Sequence, residues 1–180
     1  FPDAYFAHNF GRRIAAHLRA HLAGAGTVLD YGCGPGFLVP HLAALGKEVT
    51  ATDASADAIA AVNRSFSKVM GFRGAVTVDQ LVADKARFDA GVSIEVVEHL
   101  SDAHLAQFFH NLAALLTPSG VAVITTPNEE NLELSMVYCP ESDRVFHRWQ
   151  HLRSWTAESL AASVAANGFV VERTYTTDFS

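Results

Sequence analysis

The sequence predicts a doubly wound α/β fold with a mostly parallel sheet, and three observations carry that expectation. Short runs rich in Val, Ile and Thr alternate with longer runs whose apolar residues recur every three or four positions. The two kinds of run exchange places several times within 180 residues, the pattern of parallel strands covered by helices on both faces. A glycine-rich turn, GCGPG at 32–36, stands where the first strand passes into a helix.

Phe6, Phe10, Ile14, Leu18 and Leu22 form one apolar stripe, which predicts a helix over 3–23, stopped by Gly24 and Gly26. TVLDY (27–31) reads as the first strand, Gly36 to Leu45 as a helix, and EVTATD (48–53) as the second strand. Ser55 is placed to cap a helix reaching about Ser65. AVTVDQ (75–80) reads as a third strand and FDAGVSI (88–94) as a fourth. Ser101 then caps a helix over 102–115, with Leu105, Phe108, Phe109 and Leu112 on its apolar positions. Pro118 and Gly120 turn the chain into VAVITT (121–126). Residues 127–154 read as a long irregular polar insertion, a substrate-side lid. Thr156 caps a last helix ending at Asn167–Gly168, and FVVERTYT (169–176) reads as a final strand. With no repeat, linker or low-complexity tract, residues 1–180 are expected to form a single domain.

Composition narrows the function classes. Hydrophobic residues make up 49% of the chain, enough for a sizeable core, and the net charge is −6. An acidic balance argues against a general nucleic-acid binder. No apolar run approaches the ~20 residues of a membrane span, and no secretory signal opens the chain. Because the chain begins at Phe1 rather than Met, its natural start is expected upstream. Cys33 and Cys139 are the only cysteines, so neither a disulfide framework nor a four-cysteine zinc site is supported, and a cytoplasmic setting is expected.

Two stretches carry chemistry. In VLDYGCGPGF (28–37), Gly32, Gly34 and Gly36 let a ligand approach the backbone closely. The spacing departs from a dinucleotide loop, because the third position after Gly34 is Phe37. Asp30 ends the first strand and Asp53 the second, where an acid can accept hydrogen bonds from both ribose hydroxyls of an adenosine. In SIEVVEHLSD (93–102), Glu95, Glu98 and His99 are spaced to share one face of a helical turn. Set among Val96, Val97 and Leu100, they are a solvated edge, a metal site or the wall of a catalytic pocket.

LDYGCGPG, VTATD, FDAGVSIEVVEHL and LTPSGVAVITTPN, taken in order, resemble the motifs of class I S-adenosylmethionine-dependent methyltransferases, over about residues 5 to 176. The resemblance implies a Rossmann-like sheet and S-adenosyl-L-methionine as cofactor. It places the methionine end at Asp30, Gly32, Gly34 and Gly36, the ribose at Asp53 and Ala54, and the adenine near Asp79 and Gln80. Ser93 to Glu95 would lie near the methyl donor, and Tyr5 on the first helix would fold over the cofactor. The family's sheet ends in a sixth and seventh strand paired as a hairpin. The chain stops at Ser180, so the seventh is expected to be missing or its place filled differently.

IEVVEHL followed by the late His151 is similar to two subgroups: O-methyltransferases of ubiquinone biosynthesis and small-RNA 3′-terminal 2′-O-methyltransferases. In the RNA group two glutamates and two histidines bind a divalent metal. Carried over, that quartet is Glu95, Glu98, His99 and His151, without a choice among Mg, Mn and Zn. Glu95, His99 and His151 are then the catalytic candidates. Arg144, Arg148 and Arg153 with His147, Trp149 and Trp155 give the lid a basic and aromatic character suited to a planar or anionic acceptor. The expected activity is methyl transfer to a small-molecule acceptor at oxygen. The alternatives are methylation of an RNA 3′ end, a cofactor-binding module without turnover and, more distantly, a nicotinamide dehydrogenase.

Overall fold

The computed structural model describes residues 3–179, with side chains from Phe10 onward. Five parallel strands form the main sheet in the order β3-β2-β1-β4-β5: β1 Thr27–Tyr31, β2 Glu48–Thr52, β3 Phe72–Val76, β4 Phe88–Ile94 and β5 Leu116–Thr125. The helices are α1 Asp3–His21, α2 Val39–Ala44, α3 Ala56–Phe66, α4 Val78–Ala83, α5 Asp102–Leu115 and α6 Ala157–Ala166.

Strand alternation divides the core between the two faces of the sheet. Val28 joins Val49, Ala51, Ala90 and Val92 against the apolar stripes of α1, α2 and α3. Its neighbour Leu29 points the other way, into a core of Phe108, Phe109, Leu112 and Leu115 from α5, bordered by Leu81 and Trp155. The chain therefore winds outward from β1 through β2 to β3, and from β4 to β5, leaving a switch point between β1 and β4. In such sheets the ligand crevice lies beyond the carboxyl ends of the strands at that point. At the opposite end, Asp89 Oδ2 fixes β4 to the start of β1 by accepting from the N–H groups of Gly26 and Thr27 and from Thr27 Oγ1.

The caps follow the sequence closely. Ser55, Ser101 and Thr156 each accept a backbone N–H of the first helical turn, and Thr156 with Ser159 completes a reciprocal capping box. At the β3 edge, the Asn63 side-chain amide donates to Ala75 O and accepts from Ala75 N–H.

Four expectations are corrected. The second helix starts at Val39 rather than Gly36, because Gly36 has φ +78° and helical geometry begins only where Pro40 sits in the first turn. The third strand is Phe72–Val76 rather than 75–80: Thr77 caps a helix by accepting Gln80 N–H, which draws Asp79 and Gln80 into α4. The 127–154 insertion is not wholly irregular, since it contains an antiparallel hairpin of β6 Met136–Cys139 and β7 Arg144–His147. Finally, 169–176 forms no strand. The segment joins no ladder and is held by side chains: Phe169 packs near Phe109, Tyr175 Oη lies 3.0 Å from His21 Nε2, and Arg13 donates to Phe179 O. Apolar residues alone do not make a strand where no neighbour accepts its backbone.

No helix among the described residues is long and apolar enough to cross a membrane. Phe109 is fully buried beneath the sheet. Phe109→Ala is expected to destabilise the fold by about 3–5 kcal/mol, read as a lowered urea midpoint at unchanged slope.

Candidate active site

The glycine loop leaves β1 with Gly32, Gly34 and Gly36 at φ +85°, +48° and +78°. The N–H groups of Gly32 and Cys33 donate to Thr52 O, tying the loop to the end of β2. The three glycines have different reasons for being there. A side chain at Gly32 would strike Val96, with Cγ2 only 2.5 Å from an added Cβ, and one at Gly36 would meet Val62 and Phe66. At Gly34 an added Cβ meets nothing within 4 Å, so this glycine opens onto free space.

Asp53 faces the same space. Its Oδ2 accepts Gly34 N–H at 2.8 Å and its Oδ1 accepts Ser55 N–H at 2.8 Å. Each carboxylate oxygen keeps a second lone pair, so Asp53 orders the loop without exhausting its capacity to accept. Asp30 is only 3% exposed, and its Oδ2 makes no hydrogen bond. Burial, aided by the Asp53 charge, pushes its carboxyl up to about 7. Burial likewise raises the Cys33 thiol, so Cys33 acts as a small packed side chain rather than a nucleophile. Ala54 is exposed beside Asp53. Asp79 and Gln80 are exposed on the first turn of α4, with Gln80 Nε2 donating to Asp84. Ser93 is buried near the end of β4, its Oγ without a hydrogen bond. The side chain of Tyr5 lies outside the described residues.

Beyond β4 the chain makes a single 3₁₀ turn at Val97–His99. Glu95 stands before it at φ +56°, so Glu95 does not share a helical face with Glu98 and His99 as the spacing implied. Glu95 instead turns toward β5, where Oε1 accepts from Thr125 Oγ1 at 2.8 Å. The next residue, Thr126, donates to Glu98 Oε2 at 3.0 Å. Glu98 is 1% exposed and its Oε1 makes no hydrogen bond. Burial first, then the charge of Glu95, raises its carboxyl to about 8.

His151 reaches this turn because the segment following β7 is stitched to it. Leu152 N–H donates to Glu98 O at 2.8 Å, Arg153 donates to Leu100 O and Asp102, and Glu129 N–H donates to Trp155 O. Donor atoms of Glu98, His99 and His151 consequently lie within 4.8 Å of one another. Glu95 is outside that set. A second group with the same closeness, Glu130, His147 and His151, adjoins it through the shared histidine.

Sequence reasoning missed Glu130, Thr125 and Thr126. Glu130 sits in a run of polar residues with no informative spacing, and the two threonines read only as strand residues. His147 did leave a signal, since it stands four residues before His151. The basic and aromatic pairs exist, with Arg148 over Trp149 at 5.6 Å and Arg153 over Trp155 at 5.7 Å. The large groove among the described residues runs along β5 and the 168–179 segment rather than over the glycine loop, and it meets the cluster at Glu95, Glu130 and His151.

Asp30 gives a pH-dependent stability. Its folded pKa lies above the unfolded value, so protonation favours the native state, and stability is lost as pH rises toward and through about 7. Between about pH 5.5 and pH 8 the expected loss from this group is roughly 2 kcal/mol. Glu98, raised to about 8, adds a loss of the same sign, so urea titrations of the ligand-free protein should show a steeper fall than Asp30 alone gives, and Asp30→Asn should remove about the Asp30 share of it.

The methyltransferase domain family model matches residues 5–174. The mitochondrial ubiquinone biosynthesis O-methyltransferase of Mus musculus is 34% identical over 157 residues, covering 81% of this chain and 41% of that protein. The ubiquinone biosynthesis O-methyltransferase of Methylobacterium sp. is 32% identical, covering 82% of this chain and 61% of its own length. The chain thus spans about two-fifths to three-fifths of these curated relatives. Among solved structures, the DhpI-SAH complex superposes with a TM-score of 0.62 at 25% identity, covering 92% of this chain and 79% of the other. A family match over nearly the whole chain agrees with the sheet order and the glycine loop: the chain belongs to the methyltransferase domain family.

Proposed function

We propose that this domain transfers a methyl group from S-adenosyl-L-methionine to a hydroxyl oxygen of a small-molecule acceptor. One observation carries the proposal. An open, positive-φ glycine loop leaves the end of β1, and the Glu98–His99 turn, joined by His151 from the segment after β7, leaves the end of the adjacent strand β4. They touch where Val96 packs against Gly32. The names of the relatives support oxygen as the acceptor atom, and the net charge of −6 supports a small molecule over an RNA end.

The residues present fit the cofactor. Gly34 opens onto free space beside Asp53, whose remaining lone pairs suit a ribose diol, and unpartnered Asp30 Oδ2 lies beneath the loop where an ammonium group would relieve it. When bound, the sulfonium supplies an activated methyl for in-line displacement. The protein must align the acceptor oxygen, exclude water and take its proton.

A divalent cation also fits, since Glu98 Oε1 and His151 Nε2 are buried without hydrogen bonds and a mixed carboxylate–imidazole set suits Mg²⁺, Mn²⁺ or Zn²⁺. Glu98, His99 and His151 would hold it, and it would lower the pKa of an acceptor hydroxyl. Glu95, whose Oε1 accepts from Thr125 and which lines the groove, would receive the proton. The aromatic and basic residues around Trp149 would hold a planar acceptor. Free thiols at Cys33 and Cys139 are compatible with a cytoplasmic setting.

Calorimetry with S-adenosylmethionine tests the cofactor assignment. Asp53→Ala is expected to weaken binding by about 2–3 kcal/mol. Gly34→Val should abolish it at a stability cost of only about 1–2 kcal/mol from the left-handed backbone. Unchanged affinity in both folded variants would refute the assignment.

Titration with Mn²⁺ after chelation tests the cation. One ion per chain is expected, with uptake lost in Glu98→Gln and in His151→Ala while S-adenosylmethionine still binds. Full methylation activity in the chelated protein would leave Glu98, His99 and His151 as a metal-free acid–base cluster.

A further inference from the structure

We propose that Glu130 is a positioning residue that sets the ring tautomer of His151, leaving the Nε2 lone pair free to serve the Glu98–His99 side of the cluster. The proposal rests on the reading of that cluster as a cation site, but its geometry can be tested separately.

The hydrogen bonds assign the protons one at a time. His151 N–H donates to His147 Nδ1 at 3.1 Å. That nitrogen is therefore an acceptor, and a neutral His147 ring carries its proton on Nε2. His147 Nε2 lies 3.5 Å from Glu130 Oε1 without a hydrogen bond between them, so that proton stands beside the carboxylate but is not held by it. The other oxygen, Glu130 Oε2, is in close contact with His151 Nδ1. An ionised carboxylate only accepts, so this contact puts the His151 proton on Nδ1. The lone pair is then on Nε2, which is buried and makes no hydrogen bond. The His99 and His151 rings meet edge-on with centroids 4.7 Å apart, beside the buried Glu98 carboxylate.

This assignment distinguishes the two neighbouring groups of potential ligands. In the Glu130–His147–His151 group both ring nitrogens nearest the carboxylate carry protons, and an N–H cannot ligate. That group is a support in which the carboxylate orients His151, while His147 is held by the backbone N–H on its Nδ1. In the Glu98–His99–His151 group, His151 offers a lone pair. Carboxylates that orient a ligating histidine typically contribute 10–100-fold to metal affinity.

Glu130→Gln is the informative substitution because it nearly preserves shape while removing one acceptor. Two ring N–H groups then face one oxygen and one NH₂. His147 is held by the backbone N–H on its Nδ1, so His151 is the ring that must turn over to the Nε2–H form.

The test is ¹⁵N NMR of the histidine side chains in the chelated full chain, with His151 assigned by His151→Gln, alongside Mn²⁺ titration. The expected result is His151 as Nδ1–H in the wild type and Nε2–H in Glu130→Gln, with Mn²⁺ affinity falling 10–100-fold. Wild-type His151 in the Nε2–H form overturns the proposal, and this measurement needs no variant to fold. So does a folded Glu130→Gln chain with unchanged tautomer and affinity within about twofold. Two Mn²⁺ ions per chain would also overturn it, because Glu130 would then be a ligand. A wild-type chain that takes up no Mn²⁺ sinks the cation reading alone, and the ring spectra still decide the tautomer.

Discussion

The site depends on β1 and β4 lying side by side. Val28, Leu29 and Asp30 pair with Ala90, Gly91 and Val92, which sets the exits of the two strands next to each other. The glycine loop continues one strand and the Glu95–His99 turn continues the other. Had the chain wound in a single direction, β2 and β3 would separate them. The topology therefore brings the open glycine loop next to a cluster of acids and imidazoles before any side chain is chosen.

The electrostatics of that arrangement are strained in the ligand-free protein. Asp30 and Glu98 are both buried, and each has a second carboxylate nearby that raises its pKa further. Each also has an oxygen without a hydrogen bond. Burying such groups is costly unless something positive or proton-donating approaches. A core assembled for stability alone would place apolar groups there. The two sites fall on either side of the Gly32–Val96 contact, where a positively charged methyl donor and a cation would each offset one of them.

Much of this was legible in the sequence, and the exceptions share a cause. Helix caps and central strands follow from local rules, so Ser55, Ser101 and Thr156 cap where their side-chain chemistry says they should. Asp53 and the glycine loop were readable because a strand end fixes their spacing. The expected strand at 75–80 was misplaced because Val76 and Val78 fit a strand alternation, while a single hydroxyl at Thr77 decides for a helix. The expected strand at 169–176 was apolar enough, but strands are made by partners, and periodicity does not report partners. Glu95 was grouped with Glu98 and His99 because the spacing assumes continuous helix; its positive φ breaks that assumption. Glu130 was invisible because what brings it to His151 is a set of backbone hydrogen bonds between two loops.

The Asn63 amide has a consequence for the sheet as a whole. By taking both the N–H and the carbonyl that Ala75 presents, it uses up a docking pair in the middle of the β3 border. Unclaimed, such groups are a template onto which another polypeptide can add itself, the route by which sheets polymerise. A residue on a neighbouring helix thus blocks this border against such addition, alongside the charged Arg73 and the register shift that β3 itself carries.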